Sequence, residues 1–282
     1  YIAEVENVKP NVIDYIMPVT KPSDLNITEY GLENSYIFLK IEDGAIYING
    51  IKMSLVDFAD LGDSYNFGPK KNDNGTELKI LRSKVILKTH LRAALKVDFE
   101  GVWDVITAII TLDKESTSLH FKFDWTNSQK NHLLNAVFEL NQPIEEVFSE
   151  DMNTLIKRNF DSDYNIRENL PTTRGIEVKN NTAPMQRGLL IDEKNNNLGI
   201  ITKGLTQYEV YKNYLYLPIL RSTGVISNPQ NPARTTPAGP PIPVESLQQI
   251  GRNIAEFHVF FGNQNAFEET LNKVYNYIVT TS

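Results

Sequence analysis

Apolar and polar residues alternate with a period of two along much of this chain. Leu119, Phe121, Phe123 and Trp125 interleave with His120, Lys122 and Asp124, the pattern of a strand with one buried face. The runs 36–41 and 45–48 flank Asp43-Gly44, and that dipeptide between two apolar runs predicts a hairpin. Further runs rich in β-branched and aromatic residues predict strands over 84–88, 103–112, 133–140, 187–192, 198–202, 214–220 and 254–261. Many short strands with polar turns between them make an all-β, antiparallel sandwich the expected architecture.

Helical spacing is scarce. Phe267, Leu271, Val274 and Ile278 recur at helical intervals near the end of the chain. Asn265 with Glu268 three residues later fits a capping box, so this helix is expected to start near Ala266. The acidic stretch Ile144–Met152 is read as one short helical turn. Residues 21–29 are turn-rich and follow a short strand-like lead-in. Residues 228–243 hold six prolines, which excludes regular helix or a central strand and leaves a long loop. Loops of that length inside compact domains are often functional.

Composition narrows the classes. The chain has 282 residues, 41% of them hydrophobic and 22% charged, with a formal charge of −7. An acidic chain offers no electrostatic footing for nucleic acid. No apolar run approaches the roughly 20 residues that span a bilayer, so no membrane partner is expected. The cysteine count is zero, which removes disulfides, thiol nucleophiles and Cys-ligated metals and fits a cytoplasmic location.

The densest candidate chemistry lies in the segment Asp57-Phe58-Ala59-Asp60-Leu61-Gly62-Asp63-Ser64-Tyr65-Asn66-Phe67-Gly68-Pro69. Its carboxylates, Ser, Tyr and Asn suit hydrogen bonding to sugar hydroxyls and stacking on a sugar face. On composition alone it reads first as an Asx-rich turn between strands. Arg221, in Leu220-Arg221-Ser222-Thr223-Gly224, ends an apolar run beside a turn. It suits either a fork onto ligand oxygens or a salt bridge at the sheet edge. His90, His120, His132 and His258 show no metal-ligand spacing. Asp161-Ser162-Asp163-Tyr164-Asn165 opens like a calcium loop but has Ile166 and Thr172 where the loop needs Gly and Glu. Neither a Gly-x-Ser-x-Gly elbow nor a phosphate-binding glycine loop is present.

An ordered series of segments resembles the carboxy-terminal half of glycoside hydrolase family 38, in particular its bacterial α-mannosidase and mannosylglycerate hydrolase branch. The series runs from Val8-Lys9-Pro10 through Pro18, then Leu32-Glu33-Asn34-Ser35-Tyr36 and the Asp43-Gly44 hairpin, to Asp60-Leu61-Gly62-Asp63-Ser64-Tyr65-Asn66-Phe67-Gly68-Pro69. It continues with Lys203-Gly204-Leu205-Thr206-Gln207-Tyr208-Glu209-Val210, Leu220 to Ser227, and Pro237-Ala238-Gly239-Pro240. The chain departs from the family at His90-Leu91-Arg92-Ala93-Ala94-Leu95, which is less basic, and stops soon after Tyr277, before the family's last strands.

The resemblance implies a galactose-mutarotase-like super-sandwich over 29–282, truncated at its end, preceded over 1–28 by the end of a small β-domain and a linker. It implies retaining hydrolysis of α-mannosides by an aspartate nucleophile and a zinc ion, all supplied by an amino-terminal catalytic barrel outside this chain. This chain alone is then inactive and has no catalytic or metal residue of its own. Its implied part is scaffold and lid, with Asp60, Asp63, Tyr65, Asn66 and Arg221 as the residues that contact a mannoside or mannosylglycerate-like substrate. Two other readings of the same sandwich are a stand-alone carbohydrate-binding module and a structural domain that scaffolds a homo-oligomer.

Overall fold

The computed structural model describes residues 24–101, 104–170, 179–191, 197–234 and 236–279. The lead-in containing Val8-Lys9-Pro10 and Pro18 lies outside the described residues, as do Trp103, Thr172 and Asp192.

The first strands in chain order are β1 (Asn26–Thr28), β2 (Gly31–Glu33), β3 (Phe38–Glu42), β4 (Ala45–Ile48), β5 (Ile51–Ala59) and β6 (Thr76–Glu77). The middle of the chain gives β7 (Lys79–Lys88), β8 (Arg92–Glu100), β9 (Val105–Asp113), β10 (Ser118–Asn127), β11 (His132–Glu139), β12 (Glu146–Asp151) and β13 (Thr154–Asn159). The rest are β14 (Thr182–Pro184), β15 (Gly188–Ile191), β16 (Leu198–Thr202), β17 (Gln207–Tyr211), β18 (Tyr214–Ser222) and β19 (Gly251–Phe261), followed by α1 (Gln264–Val279).

They form two antiparallel sheets. The first runs β1-β2-β3-β4-β5-β11-β18-β17-β14, with β6 added beside β5, and the second runs β13-β12-β15-β16-β19-β10-β9-β8-β7. This is the expected all-β sandwich with one helix near its end. The Asp43-Gly44 hairpin forms as expected: β3 pairs β4, and both turn residues have positive φ, 51° and 76°. Such a turn matches the right-handed twist of the two strands it joins. The strand β1 already pairs with β2, so residues 26–28 belong to the first sheet.

Period two explains the core. Leu119, Phe121, Phe123 and Trp125 of β10 point inward, and His120, Lys122 and Asp124 point out. Met53 and Leu55 of β5 and Phe138 of β11 meet them from the opposite sheet in one continuous cluster. Phe121 lies 5.2 Å from Phe257 of β19, ring centre to ring centre.

Two expectations fail. Glu146–Asp151 is a strand, not a helical turn: Val147 and Ser149 are buried, and Arg187 neutralises the buried Glu150 at 2.7 Å. The helix begins at Gln264, and Asn263 caps it instead of Asn265, its Oδ1 accepting the Ala266 N–H at 3.2 Å. The apolar face of α1, Phe267, Leu271 and Val274, packs on Leu190, Ile201 and Phe260 on the outer side of the second sheet. No helix among the described residues is long and apolar enough to cross a membrane.

Candidate functional site

Strand β11 pairs antiparallel with both β5 and β18, so those two run parallel to each other. Both therefore end on the same rim of the sandwich, two strand spacings or about 9.6 Å apart. The loop after β5 and the long loop after β18 meet there.

The first loop closes on Asp60. Its Oδ1 accepts the N–H groups of Gly62 (2.8 Å) and Gly68 (2.9 Å), and its Oδ2 accepts Arg221 Nε (2.8 Å). Asp60 N donates to Asn131 O at 2.9 Å and Leu61 N to Gly68 O at 2.7 Å, which pinches the loop into a near-circle. A Cβ on Gly62 would sit 2.1 Å from Asn66 O, and one on Gly68 would sit 2.4 Å from Gly62 N. Both positions therefore require glycine for the chain to approach itself this closely. Behind the rim, Gln248 Oε1 accepts Asn131 N (2.9 Å) and Gln248 Nε2 donates to Asn131 Oδ1 (2.8 Å), which braces the carbonyl that holds Asp60.

Asp63 joins the two loops. Its Oδ1 accepts the N–H groups of Tyr65 (3.0 Å) and Asn66 (3.1 Å), and its Oδ2 accepts Asn228 N (2.7 Å) and the guanidinium of Arg234. Arg221 Nη2 donates to the Asp63 carbonyl at 2.6 Å. Arg234 also donates to Asn66 Oδ1, and its Nε donates to Thr236 O at 2.7 Å. Asn228 Nδ2 reaches Leu61 O (2.8 Å), and Ser64 Oγ reaches Ile226 O (2.7 Å). The described part of the Pro-rich segment is thus an ordered loop. Ser227 Oγ accepts the N–H groups of Ala238 (3.0 Å) and Gly239 (3.1 Å), which folds the second half of that loop back.

Burial alone would favour the neutral acid at Asp63. The N–H groups of Asn228 and Asn66, the Arg234 guanidinium and the Tyr65 N–H outweigh it and hold its carboxyl below the usual range. With every contact committed inward, Asp63 is a fixed anion that shapes the loop, not a proton carrier. Both oxygens of Asp60 are likewise taken up by contacts within the rim, with Gly62, Gly68 and Arg221. Tyr65 differs: it is 56% exposed at the tip of the loop. The Arg234 guanidinium carbon lies 5.7 Å from its ring centre, so the cation backs one face of the ring.

The structure therefore brings Asp60, Asp63, Tyr65, Asn66 and Arg221 into one rim assembly. Only Tyr65 presents a broad surface outward. A groove of about 650 Å³ lies on the same rim, lined among others by Asp60, Leu61, Gly62, Asn228, Lys130 and Glu245 but not by Tyr65. Asp57 belongs to β5 and not to the loop, and its Oδ1 meets His132 Nδ1 at 2.8 Å in the interior. Arg234 and Asn228 carry no site motif in the sequence. Arg234 is the one charged residue of 228–243, and that is the signal which marks it.

No protein-family model matches this chain, and no curated protein matches it. Solved structures do. An alpha-mannosidase from Enterococcus faecalis V583 superposes with a TM-score of 0.71 at 16% identity, over 90% of this chain and 32% of that one. A protein in the glycosyl hydrolase family 38 from Enterococcus faecalis gives a TM-score of 0.72 at 16% identity, over 90% of this chain and 33% of its own. The likeness is one of fold, and the chain spans about a third of the length of those proteins.

Proposed function

We propose that this chain is the carboxy-terminal sandwich of a family 38-type glycoside hydrolase that cleaves α-mannosides with retention. The observation that carries the proposal is the rim assembly: a loop resembling that family's Gly-Asp-Ser-Tyr segment, clamped by Arg221 and Arg234, on a sandwich that superposes over 90% of its length on the two Enterococcus faecalis structures. In this reading Tyr65 offers its open face to the apolar side of a mannoside or mannosylglycerate-like sugar. Asp60, Asp63, Asn66 and Arg221 hold that ring and the loop backbone in register, an orienting role and not a proton-transfer role.

Among the described residues no group of three or more His, Cys, Asp or Glu side chains converges as a metal site. The zinc that the resemblance implies therefore finds no fitting ligand set in them. The nucleophile and the metal are assigned to an amino-terminal catalytic barrel, in a cytoplasmic enzyme.

The test uses the protein encoded by the complete reading frame. Nitrophenyl α-mannoside should be cleaved, with the anomeric configuration retained, and a chelator should abolish the activity until zinc is restored. Absence of cleavage across a panel of nitrophenyl glycosides, or indifference to the chelator, would overturn the proposal. Sugar binding by a reading frame that encodes no barrel would favour a carbohydrate-binding module instead.

A further inference from the structure

A second cavity, of about 580 Å³, opens on the outer face of the first sheet. Volumes on the order of 300–1,000 Å³ suit small ligands. The strands explain its aromatic wall. Tyr208 and Val210 of β17 and Leu215 and Leu217 of β18 point into the core, so Tyr211 and Tyr216 point out. Phe58, at the end of β5, completes the wall.

Arg167 forms the floor. Its side chain is 9% exposed, and its guanidinium carbon lies 4.4 Å from the Phe58 ring centre, 5.1 Å from Phe67 and 5.5 Å from Tyr216. Its fork donates to Glu209 Oε1 (2.7 Å) and Oε2 (3.3 Å), and its Nε is buried without a partner among the described residues. Burial works against this charge, but Glu209 more than offsets it, so the pair is a fixed and neutralised element.

The lining decides what fits. Asp73 is spent internally: its two carboxylate oxygens accept the N–H groups of Ala59 (2.7 Å) and Gly75 (2.9 Å). What remains toward the cavity is the amides of Asn72 and Asn74, the phenols of Tyr211 and Tyr216, and one charge of each sign, Lys71 and Glu168. Glu168 Oε1 already accepts from Asn165 Nδ2 (3.2 Å) and Tyr211 OH (3.4 Å), and among the described residues its second oxygen has no partner. Burial pushes the Tyr216 hydroxyl up to about 12, so it is a protonated donor at neutral pH. Lys212 covers one face of Tyr211 at 5.0 Å, leaving the other face for a ligand.

A multivalent anion would meet a lining with one free cation, Lys71, and one carboxylate with an open oxygen, Glu168, among the described residues, and a purely apolar ligand would strand several amides. A neutral ring with one apolar face and several hydroxyls satisfies both halves of the wall. We propose that this cavity is a second carbohydrate site that takes a neutral pyranose unit. The ring's C–H face lies toward Tyr211 and Tyr216, and its hydroxyls reach Asn74 and Glu168. Asp60 and Tyr65 do not line this cavity; Phe67, from their loop, meets it only through its ring contact with Arg167. The choice of mannose as the sugar rests on the proposed function above.

The test is titration of the full chain with methyl α-D-mannopyranoside, followed by saturation-transfer NMR and calorimetry. Tyr211→Ala and Asn74→Ala should each weaken binding by about tenfold, the loss of one good contact. Tyr211→Phe should keep most of the affinity, and Tyr65→Ala should remove only binding at the rim, leaving in place the component that Tyr211→Ala weakens. Binding indifferent to both Tyr211→Ala and Asn74→Ala, or weakened by Tyr65→Ala alone, would overturn the proposal while leaving the rim reading intact. Absence of any binding would overturn it as well. Loss through the cavity variants in a protein that cleaves no mannoside would keep this site and remove the hydrolase reading.

Discussion

At the scale of single residues, the decisive fact is how completely the acidic side chains of the rim are committed. Asp63 is 0% exposed and held by three backbone N–H groups and a guanidinium. Asp63→Ala strands Arg234 in the interior, and breaking a buried pair of this kind costs about 3–5 kcal/mol. Urea unfolding of the variant should show a lowered midpoint and a loss of unfolding free energy of that order. Because the folded carboxyl titrates below its unfolded value of about 3.9, its contribution is fully present above that pH. It is lost as pH falls through the folded value. The gap between wild type and Asp63→Asn should therefore narrow in acid, and a gap constant down to about pH 2 would contradict this assignment. The sequence made Asp60, Asp63, Tyr65, Asn66 and Arg221 visible as a polar loop and a nearby cation. It could not show which of them faces outward. Exposure depends on Arg234 and Asn228 arriving from another part of the chain, and only Tyr65 is left with an open face.

At the scale of elements, strands with one buried face were legible because their alternation is local. The stretch Glu146–Asp151 was not, since its acids disfavour a strand until Arg187 of a neighbouring segment neutralises Glu150. The helix was legible in its apolar spacing. Its cap was not, because Asn263 and Asn265 are equivalent until the chain leaves β19. Two strand pairs carry consequences no periodicity reveals. On β16, Gly199 lies under the ring of Phe260, and a Cβ there would fall 1.9 Å from the ring. Gly199→Ala should cost about 1–3 kcal/mol through overpacking, read as a drop in Tm; a neutral result would mean that β16 and β19 separate easily.

The second pair is His120 on β10 and His258 on β19, directly cross-strand with stacked rings 4.4 Å apart. Burial first, and then the neighbouring His120 and Lys203, push His258 down to about 3. The unfolded imidazole titrates near 6.5, so stability is full above that value and falls as pH drops toward the folded value. The slope is at most about 1.4 kcal/mol per pH unit. Unfolding midpoints of His258→Phe should be flatter than wild type between about pH 4 and pH 6, and equal slopes would contradict the assignment.

At the scale of the whole molecule, the rim exists only because β11 lies between β5 and β18 and fixes their ends side by side. Asp63 and Arg234 are 171 residues apart in sequence, and that separation is why the site was legible only in halves. It also ties the site to global closure: the bonds that fix each loop come from the other, and the two are brought together by the paired central strands of the first sheet. Arg234→Met tests this coupling. It keeps the stem of the side chain, removes the cation, and leaves Asp63 with the N–H groups of Tyr65, Asn66 and Asn228. Those bonds should hold the loss near the lower end of the about 3–5 kcal/mol expected for a broken buried pair. The far-UV spectrum should be unchanged, since no strand bond involves either side chain. Proteolysis within 228–243 should accelerate, because Arg234 ties that loop to Asn66 and to Thr236 O. In the double-mutant cycle with Asp63→Asn, the coupling should exceed about 1 kcal/mol, well beyond the additivity found for independent sites. Additive losses, with the loop cut no faster, would show that the two loops fold independently and that their junction is not what holds Tyr65 in place.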